Sequence, residues 1–410
     1  MAPADVLIVG AGQAGAQTAL SLRLGGHAGS ILMVGDEPDA PYERPPLSKD
    51  YLAGERDAAR LYLRPAGFWA ERNIALQTHA HVVSIDATAH TATLETGETI
   101  AYRALVWAAG GHPRPLPLPG ATLAGVHMLR TRADADRLRA ELADAIRVCV
   151  IGGGYIGLEA AAVLAKAGRP VTVLEVQDRV LARMSAEPIS RHIEAQHRAH
   201  GVDVRTGVTI TAVEGREGRV MGVALGDGTL VPADIVIAGI GLLPNQAVLT
   251  AAGAECGNGV LVDEFCRTSL PDIYAIGDCA NHPNAYAGGM RVRLESVQNA
   301  IDQAKTVASV LLGTPQPYRA LPWFWSNQYD LKLQTVGLNH GYDDTVLRGD
   351  PATGSFSLIY LRAGRVVALD TINALRDFNA GKKLVELGAC PDRAALADLT
   401  VPLKSLAEPS

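Results

Sequence analysis

Two stretches of the chain share one pattern of apolar and polar positions. In each, a short apolar run leads into a glycine-rich turn, a helix-like stretch and a second apolar run that ends at an acid. The first pattern begins with the run 6–9 and the second with the run 148–151. Short apolar runs of this kind predict strands buried on both faces of a parallel sheet. The pattern therefore predicts two βαβ units.

The turns of both units carry glycines in the spacing G-x-G-x-x-G. In this motif the first glycine makes a tight turn, the second lets the backbone approach a pyrophosphate, and the third lets helix and strand pack closely. Asp36 and Glu175 follow about 20 residues later, where an acid accepts hydrogen bonds from a ribose. One such motif alone is also typical of an ordinary turn, but two complete copies predict that the chain binds two dinucleotides. The six glycines are Gly10, Gly12, Gly15, Gly152, Gly154 and Gly157.

The rest of the pattern predicts an α/β protein with a third domain. The apolar runs 105–107 and 235–238 lead into glycines and are each followed by a proline, which suits crossings between domains. Turn dipeptides at 217–218 and 227–228 predict a strand meander. From about residue 316 the glycine motifs stop and strand patterns dominate. This last region is the predicted third domain.

Composition and charge exclude several classes of protein. Of 410 residues, 48% are hydrophobic and 20% are charged, which is ordinary for globular domains and unlike disordered chains. The net charge of -6 is spread without a basic block, so nucleic acid is not an expected partner. The sequence shows neither a membrane span nor an export signal, and its five cysteines form no C-x-x-C pair. We therefore expect a cytoplasmic protein that does not bind membranes.

A further acid stands at the end of an apolar strand, in the segment 268–280. Asp278 follows Gly277 there, so its carboxylate is placed to accept a hydrogen bond from a ribityl hydroxyl of FAD. An ordinary turn aspartate is the alternative interpretation.

Several motifs together resemble a known family. They are the first glycine motif, the segment P-Y-E-R-P-P-L-S-K at 41–49, the second glycine motif with Glu159, the strand end at 276–278 and the W-F-W segment at 323–325. In order and spacing the chain resembles the glutathione-reductase-fold ferredoxin reductases of the putidaredoxin reductase type. These are NADH-dependent FAD enzymes that serve bacterial haem monooxygenases and Rieske oxygenases.

The resemblance implies two Rossmann-like domains, with an NADH domain inserted in an FAD domain, plus a C-terminal α+β domain. The expected boundaries are 1–112 and 244–315 for FAD, 113–243 for NADH and 316–410 for the C-terminal domain. The implied FAD-binding residues are Gly10, Gly12, Ala14, Gly15, Asp36, Lys49, Val82, Arg130, Asp278 and Val297. The implied NADH-binding residues are Gly152, Gly154, Tyr155, Ile156, Gly157, Glu159, Glu175 and Gly241.

Three of these residues are the predicted catalytic groups. Lys49 near flavin N5 would favour the anion that forms on reduction, and Glu159 would pair with it. Two surface charges are the alternative. Tyr155 would cover the flavin and move aside for nicotinamide, or it is simply a packed helix residue.

Other features concern the choice of cofactor and the approach to the flavin. Glu175 as the ribose acid should repel the 2′-phosphate of NADPH, so NADH is expected. Arg179 is the residue that would soften this preference, but the favoured interpretation of Arg179 is a solvated charge after the strand. The helix predicted from Val297 would direct its N-terminal dipole at the flavin. In the segment 108–110, Ala109 stands where the family has threonine, which affects FAD affinity and not the fold.

The predicted reaction passes electrons from NADH through FAD to a two-iron, two-sulfur ferredoxin. Trp325, Lys305 and Lys332 are the predicted docking residues, although Trp323 and Trp325 fit a domain core equally well. The alternatives are an NADH oxidase or quinone reductase of the same fold, and a non-catalytic NADH-sensing flavoprotein. A monomer or weak homodimer is expected.

Two kinds of site are not expected. The histidines at 192, 197 and 200 lie on one predicted helix with a spacing that does not favour a metal, so none is assigned. Disulfide reductases of this fold need a cysteine pair soon after the first glycine motif, whereas no cysteine precedes Cys149.

Overall fold

The structure is a computed structural model that describes residues 3–407. Over these residues the α-helices are α1 (Gln13–Leu24), α2 (Phe68–Glu71), α3 (Arg132–Leu142), α4 (Tyr155–Lys166), α5 (Glu187–Ala199), α6 (Ala247–Ala251), α7 (Val297–Leu311), α8 (Leu375–Leu387) and α9 (Arg393–Ala397).

The strands are, in chain order, β1 (Ala4–Val9), β2 (Ile31–Val34), β3 (Ile74–Gln77), β4 (Val82–Asp86), β5 (Thr91–Leu94), β6 (Thr99–Trp107), β7 (Gly111–Pro113), β8 (Val126–His127), β9 (Val148–Ile151), β10 (Val171–Glu175), β11 (Asp203–Thr206), β12 (Ile210–Arg216), β13 (Arg219–Leu225), β14 (Leu230–Pro232), β15 (Ile235–Ala238), β16 (Leu242–Pro244), β17 (Cys256–Gly257), β18 (Gly259–Leu261), β19 (Ile273–Ala275), β20 (Ala280–Pro283), β21 (Arg291–Arg293), β22 (Trp323–Gln328), β23 (Leu331–Gly337), β24 (Asp344–Asp350), β25 (Ser355–Arg362) and β26 (Arg365–Ile372).

The chain divides into two compact units. The first holds the described residues up to Glu43, together with Ala59–His112 and Leu243–Pro322. The second holds Arg44–Ala58, Pro113–Leu242 and the described residues from Trp323 onward. The three domain boundaries expected from the sequence remain a prediction.

The first unit is built on a sheet with the order β3-β2-β1-β6-β5-β4, in which β19 also pairs with β6. The strand β1 lies between β2 and β6 and is parallel to both. All of its residues except Asp5 are buried, which explains its nearly continuous apolar sequence. The helices α1 and α7 pack together, and Ala19 and Val307 belong to the same core cluster.

The second unit contains a parallel sheet with the order β11-β10-β9-β15-β8. Every residue of its central strand β9 is buried. The predicted meander is confirmed, because β12, β13 and β14 form an antiparallel sheet joined by turns at the two dipeptides. Glu217 and Gly218 both adopt positive φ in the first of these turns.

The C-terminal part of the second unit is an antiparallel sheet with the order β22-β23-β26-β25-β24. The helix α8 packs on β26 and β23. The strand-rich region expected from about residue 316 is thus confirmed. Over the described residues, the helices are all too short or too polar to cross a lipid bilayer.

One buried cation fastens the last described residues to this sheet. Arg348 on β24 forms an ion pair with Asp377 at 3.2 Å, and its side chain is 4% exposed. Its guanidinium also donates to the carbonyl oxygens of Leu396, Asp398 and Val401. A single side chain therefore satisfies several acceptors in a region with little regular structure.

Replacing Arg348 with Met should lower the free energy of unfolding by about 3 kcal/mol, because it leaves three carbonyls without their donor and the partly buried carboxylate of Asp377 without its cation. Urea unfolding measures this loss. Hydrogen exchange should show faster exchange near 393–407. Exposed Arg376→Met is the matched control and should have little effect. Equal stabilities of the two variants would contradict this role.

Candidate functional site

The first glycine turn links β1 to α1 through close backbone contacts. Gly10 has a φ of +115°, and a Cβ placed on it would lie 2.3 Å from the carbonyl oxygen of Ala108. A Cβ on Gly15, in the first turn of α1, would lie 2.0 Å from the carbonyl oxygen of Gly10. Only glycine fits at these two positions.

The second turn, between β9 and α4, repeats this geometry. Gly152 has a φ of +107°, and a Cβ on it would lie 2.4 Å from the carbonyl oxygen of Gly239. A Cβ on Gly157 would lie 2.3 Å from the carbonyl oxygen of Gly152. The two units are therefore built alike.

The middle glycine of each turn is different, because it faces open space. Gly12 caps α1, and a Cβ on it would meet nothing within 4 Å. Gly154 caps α4, and the nearest atom to its Cβ would be Met184 Cε at 3.7 Å. The first N–H groups of a helix have no partner within it, so an open N-terminus of this kind binds a pyrophosphate. Both turns fit a dinucleotide.

The acid of the second unit is held in place by backbone amides. Glu175 Oε2 accepts a hydrogen bond from Gly153 N at 2.6 Å, and its Oε1 accepts one from Gln177 N at 2.8 Å. The carboxylate is thus fixed beside the glycine turn, where a ribose is expected. Asp36, the acid of the first unit, is exposed just after β2.

The guanidinium of Arg179 is engaged elsewhere. It donates to the carbonyl oxygens of Ser185 and Ala182 and to Ser190 Oγ, at 2.5 to 3.0 Å. These contacts explain why Arg179 is a poor candidate for a 2′-phosphate ligand.

The strand end with Asp278 is shaped by a residue on α7. Gln303 is completely buried, and its Oε1 accepts a hydrogen bond from Gly277 N at 2.7 Å. The helix begins at Val297 as predicted, with Ser296 Oγ accepting from Asn299 N. In the first unit, the Gly277–Asp278 turn is therefore fixed by α7, a helix whose N-terminus is capped.

Three other predicted FAD-binding residues have these positions. Val82 begins β4 and its side chain is buried in the core, so it can meet a ligand only through its backbone. The carbonyl oxygen of Arg130 accepts a hydrogen bond from Arg44 Nη1 at 2.8 Å. Ala14 lies buried in the first turn of α1.

Lys49 and Glu159 form a buried ion pair in the second unit. Lys49 Nζ lies 2.7 Å from Glu159 Oε2, and the two side chains are 19% and 4% exposed. Ser48 Oγ donates to the same oxygen at 2.7 Å, and Ser326 Oγ donates to Glu159 Oε1 at 2.6 Å. The alternative of two surface charges is therefore wrong for this pair.

Tyr155 opens α4 and packs against Phe324, with 4.6 Å between the ring centroids. Burial, together with the negative charge of nearby Asp370, raises the pKa of the Tyr155 hydroxyl well above its usual range. The hydroxyl therefore stays protonated at neutral pH. Ile156, next along the helix, is 47% exposed, and Gly241 has a φ of +116° with open space around it.

The predicted docking residues do not all have free charges. Trp325 is partly exposed on β22, and its ring centroid lies 5.4 Å from that of Trp323, so the two do share one face. Lys332 is exposed on β23. Lys305 on α7 is ion-paired with Asp302 at 2.8 Å. Their roles in docking remain predictions.

The histidines and cysteines have structural environments. His197 is buried and lies 2.8 Å from Gln328 Oε1. Within residues 3–407 no cluster of three potential ligands is placed to hold a metal. The five cysteines are unpaired, and burial raises the pKa of the Cys149 and Cys279 thiols to about 12. These thiols are therefore unreactive at neutral pH.

A cavity of about 930 Å³ lies in the first unit. Its lining includes Tyr62, Arg64, Trp69 and Leu76, and it includes none of the predicted site residues. The residues predicted to bind the dinucleotides therefore do not line this cavity.

The fold and the two turns define a class of protein, a two-dinucleotide oxidoreductase. Residues 4–304 match the pyridine nucleotide-disulphide oxidoreductase family, and residues 323–407 match a reductase C-terminal domain. The chain belongs to the pyridine nucleotide-disulphide oxidoreductase family.

Several of its relatives are named ferredoxin reductases. It is 53% identical over 407 residues to a ferredoxin–NAD(P)(+) reductase of a Sphingomonas species, covering 99% of this chain and 98% of the relative. It is also 53% identical over 403 residues to the ferredoxin reductase subunit of a 5,5'-dehydrodivanillate O-demethylase from a Sphingobium strain, covering 98% of each. The crystal structure of the covalent putidaredoxin reductase–putidaredoxin complex matches with a TM-score of 0.95 and 43% identity, over 99% of this chain and 98% of that one.

These findings confirm the resemblance, the fold class and the assignment of the chain as an oxidoreductase enzyme. FAD and a nicotinamide dinucleotide are its cofactors, as predicted. The individual site residues remain predictions.

The sequence interpretation missed Ser48, Ser326 and Gln303. Ser48 stands beside Lys49 in the proline-rich segment, so its neighbourhood was a signal for it. Ser326 directly follows the W-F-W segment, which was a similar signal. Nothing local marks Gln303, because it contacts a residue far away in the sequence.

Alanine substitutions at two glycines of the second turn should have different effects, one on NAD⁺ binding and one on stability. Gly154→Ala should leave stability nearly unchanged but weaken NAD⁺ binding at least tenfold, because its Cβ stands where the pyrophosphate approaches. Gly157→Ala should destabilise the protein, because its Cβ has no room. Calorimetric titration with NAD⁺ and urea unfolding measure the two effects. Normal NAD⁺ binding by a folded Gly154→Ala variant would refute this assignment.

Proposed function

We propose that this enzyme oxidises NADH and reduces a two-iron, two-sulfur ferredoxin that feeds a bacterial haem monooxygenase or Rieske oxygenase. One NADH and two oxidised ferredoxins give NAD⁺, one proton and two reduced ferredoxins. The observation that carries the proposal is the presence of two dinucleotide turns on one chain that has no reactive cysteine pair in residues 3–407. The names of the relatives support the acceptor.

The chain's own groups act by position and charge. When bound, FAD supplies the chemistry, because it takes a hydride and returns two electrons singly. Lys49 is the proposed cation beside the flavin, and Glu159 with its hydroxyl donors holds the ammonium in place. Tyr155, protonated and packed on Phe324, is a proposed cover and not an acid or base.

NADH is the proposed electron donor. Glu175 is fixed by Gly153 and Gln177 beside the second turn, where a 2′-phosphate would meet its negative charge. Arg179, the nearest candidate cation by sequence, is occupied by other acceptors. Both observations favour NADH over NADPH.

A small acidic iron–sulfur protein is the proposed partner. Because the whole chain carries a net charge of -6, a local basic face must guide such a partner. In the second unit, Trp325 and Lys332 are the proposed members of that face, and Lys382 and Lys383 are further candidates. In the first unit, Lys305 is a proposed partner contact and Arg291 is a further candidate.

Glu175→Ala should narrow the preference for NADH by about 1 to 3 kcal/mol, the loss of a charged hydrogen bond plus relief of repulsion. The measurement is kcat/KM for NADH and NADPH. Asp178→Ala, an exposed acid nearby, is the control and should keep the preference. Equal kcat/KM for both cofactors in the unmodified enzyme would contradict the proposal.

Trp325→Ala should slow ferredoxin reduction at least tenfold, because an aromatic residue that becomes buried at the centre of an interface contributes most to a docked complex. Flavin reduction by NADH, measured in a single anaerobic turnover, should not change. Trp325→Phe should retain most of the rate. Added salt should weaken ferredoxin turnover more than NADH binding.

The outcomes separate the alternatives. If Trp325→Ala slows both half-reactions equally, Trp325 is a core residue. If the unmodified enzyme turns over faster with quinone or oxygen than with every ferredoxin tried, the ferredoxin proposal fails. Slow reoxidation by every acceptor would indicate an NADH sensor.

A further inference from the structure

A line of buried hydrogen bonds runs from Glu159 to α5. Ser326 Oγ donates to Glu159 Oε1 at 2.6 Å, and Gln328 Nε2 donates to Ser326 Oγ at 3.2 Å. His197 Nε2 lies 2.8 Å from Gln328 Oε1, and Tyr329 OH lies 3.2 Å from His197 Nδ1. We call these five residues the Glu159 network.

The donors and acceptors of the remaining hydrogen bonds follow from the two that involve Ser326. Because the amide nitrogen of Gln328 faces Ser326, its Oε1 needs a donor, and His197 Nε2–H is placed to supply it. Burial lowers the pKa of His197 to about 4, so the ring is neutral at pH 7 and Nδ1 carries a lone pair. Tyr329 therefore donates to Nδ1. Every donor in the network points towards the carboxylate.

The network lies away from water. Glu159, Ser326, Gln328 and His197 are each at most 3% exposed. Ser326 and Gln328 are two positions apart on β22 and hence on one face of the strand. In a medium of low dielectric, aligned dipoles of this kind stabilise an anion strongly, and an unsatisfied member is costly.

Tyr329 gives independent support for the network. It lies in the two-residue turn between β22 and β23 with a φ of +55°, a conformation that usually selects glycine or asparagine. Its ring stacks on His200 with 3.7 Å between centroids, and its hydroxyl contacts His197. Tyr329 therefore occupies a position that favours glycine or asparagine, and its side chain contacts both histidines.

We propose that Ser326 and Gln328, backed by His197, are positioning residues for hydride transfer. They hold Glu159 Oε1, so that Oε2 is left to Ser48 and Lys49. The inference rests on the proposed function, in which the Lys49 ammonium acts beside the flavin. Without Ser326 the carboxylate is free to rotate, and Lys49 loses its fixed partner.

The kinetic test uses Ser326→Ala in the FAD-loaded enzyme. The rate constant for flavin reduction by NADH, measured anaerobically by stopped flow, should fall about tenfold, as expected for one lost hydrogen bond to a charge. The NADH concentration at half the maximal rate should not change. Ser326→Thr, which keeps the hydroxyl, should recover most of the rate.

Ser357→Ala is the matched control. Ser357 is also fully buried in the C-terminal sheet and donates to a carboxylate, Asp377 Oδ2, at 2.9 Å, but it lies outside the network. The rate constant for flavin reduction by NADH in the Ser357→Ala variant should equal that of the unmodified enzyme. A general loss of packing would lower both rates, whereas the network predicts a loss for Ser326→Ala only.

A second measurement does not depend on activity. In the FAD-loaded protein labelled with ¹⁵N-histidine, and with the signal assigned through His197→Gln, the ring of His197 should be neutral with the proton on Nε2 at pH 7. A proton on Nδ1 would overturn the network's direction, and the result holds even if Ser326→Ala does not fold.

The two proposals fail in different ways. If NADH does not reduce the bound flavin of the unmodified enzyme, the proposed function fails while the tautomer of His197 is still measurable. If NADH reduces it normally and Ser326→Ala reacts as fast as Ser357→Ala, the inference is wrong and the proposed function stands.

Discussion

Close contact between a helix and the turn before it, with no side chain between them, fixes both dinucleotide turns. In the first unit Gly15 lies against the carbonyl of Gly10, and in the second Gly157 lies against that of Gly152. This contact directs the helix N-terminus over the strand end and leaves the middle glycine open to a ligand. The placement of Glu175 depends on it too, because its carboxylate is held by Gly153 within the same turn.

Features encoded by neighbouring residues could be predicted from the sequence. The glycine turns, the strand end at Asp278, the start of α7 at Val297 and the shared face of Trp323 and Trp325 all depend on local spacing, and the structure has them where the pattern indicated. Strand and helix periodicity determines such features before any long-range packing is known.

Features that join distant segments could not be predicted in this way. Ser326 meets Glu159 across 167 positions, and His197 meets Gln328 across 131. The spacing of His192 and His197 on α5, and of His200 just after it, does not favour a metal, and nothing in that spacing indicates that His197 contacts the distant strand β22. A polar residue whose partner is remote carries no local signal, so its role emerges only when burial requires that its hydrogen bonds be satisfied.

The family takes its name from disulphide chemistry, yet this chain has the scaffold without that chemistry. Its buried thiols, such as Cys149 and Cys279, have raised pKa values because burial disfavours the thiolate, the form that reacts in disulfide exchange. In the proposed function, electrons that arrive as a hydride leave by a route other than a cysteine pair. A fold alone does not decide that route, since function lies in the groups placed on it. The partly exposed aromatic strand at Trp323–Gln328 and the largely buried Lys49–Glu159 pair are the groups proposed for that route.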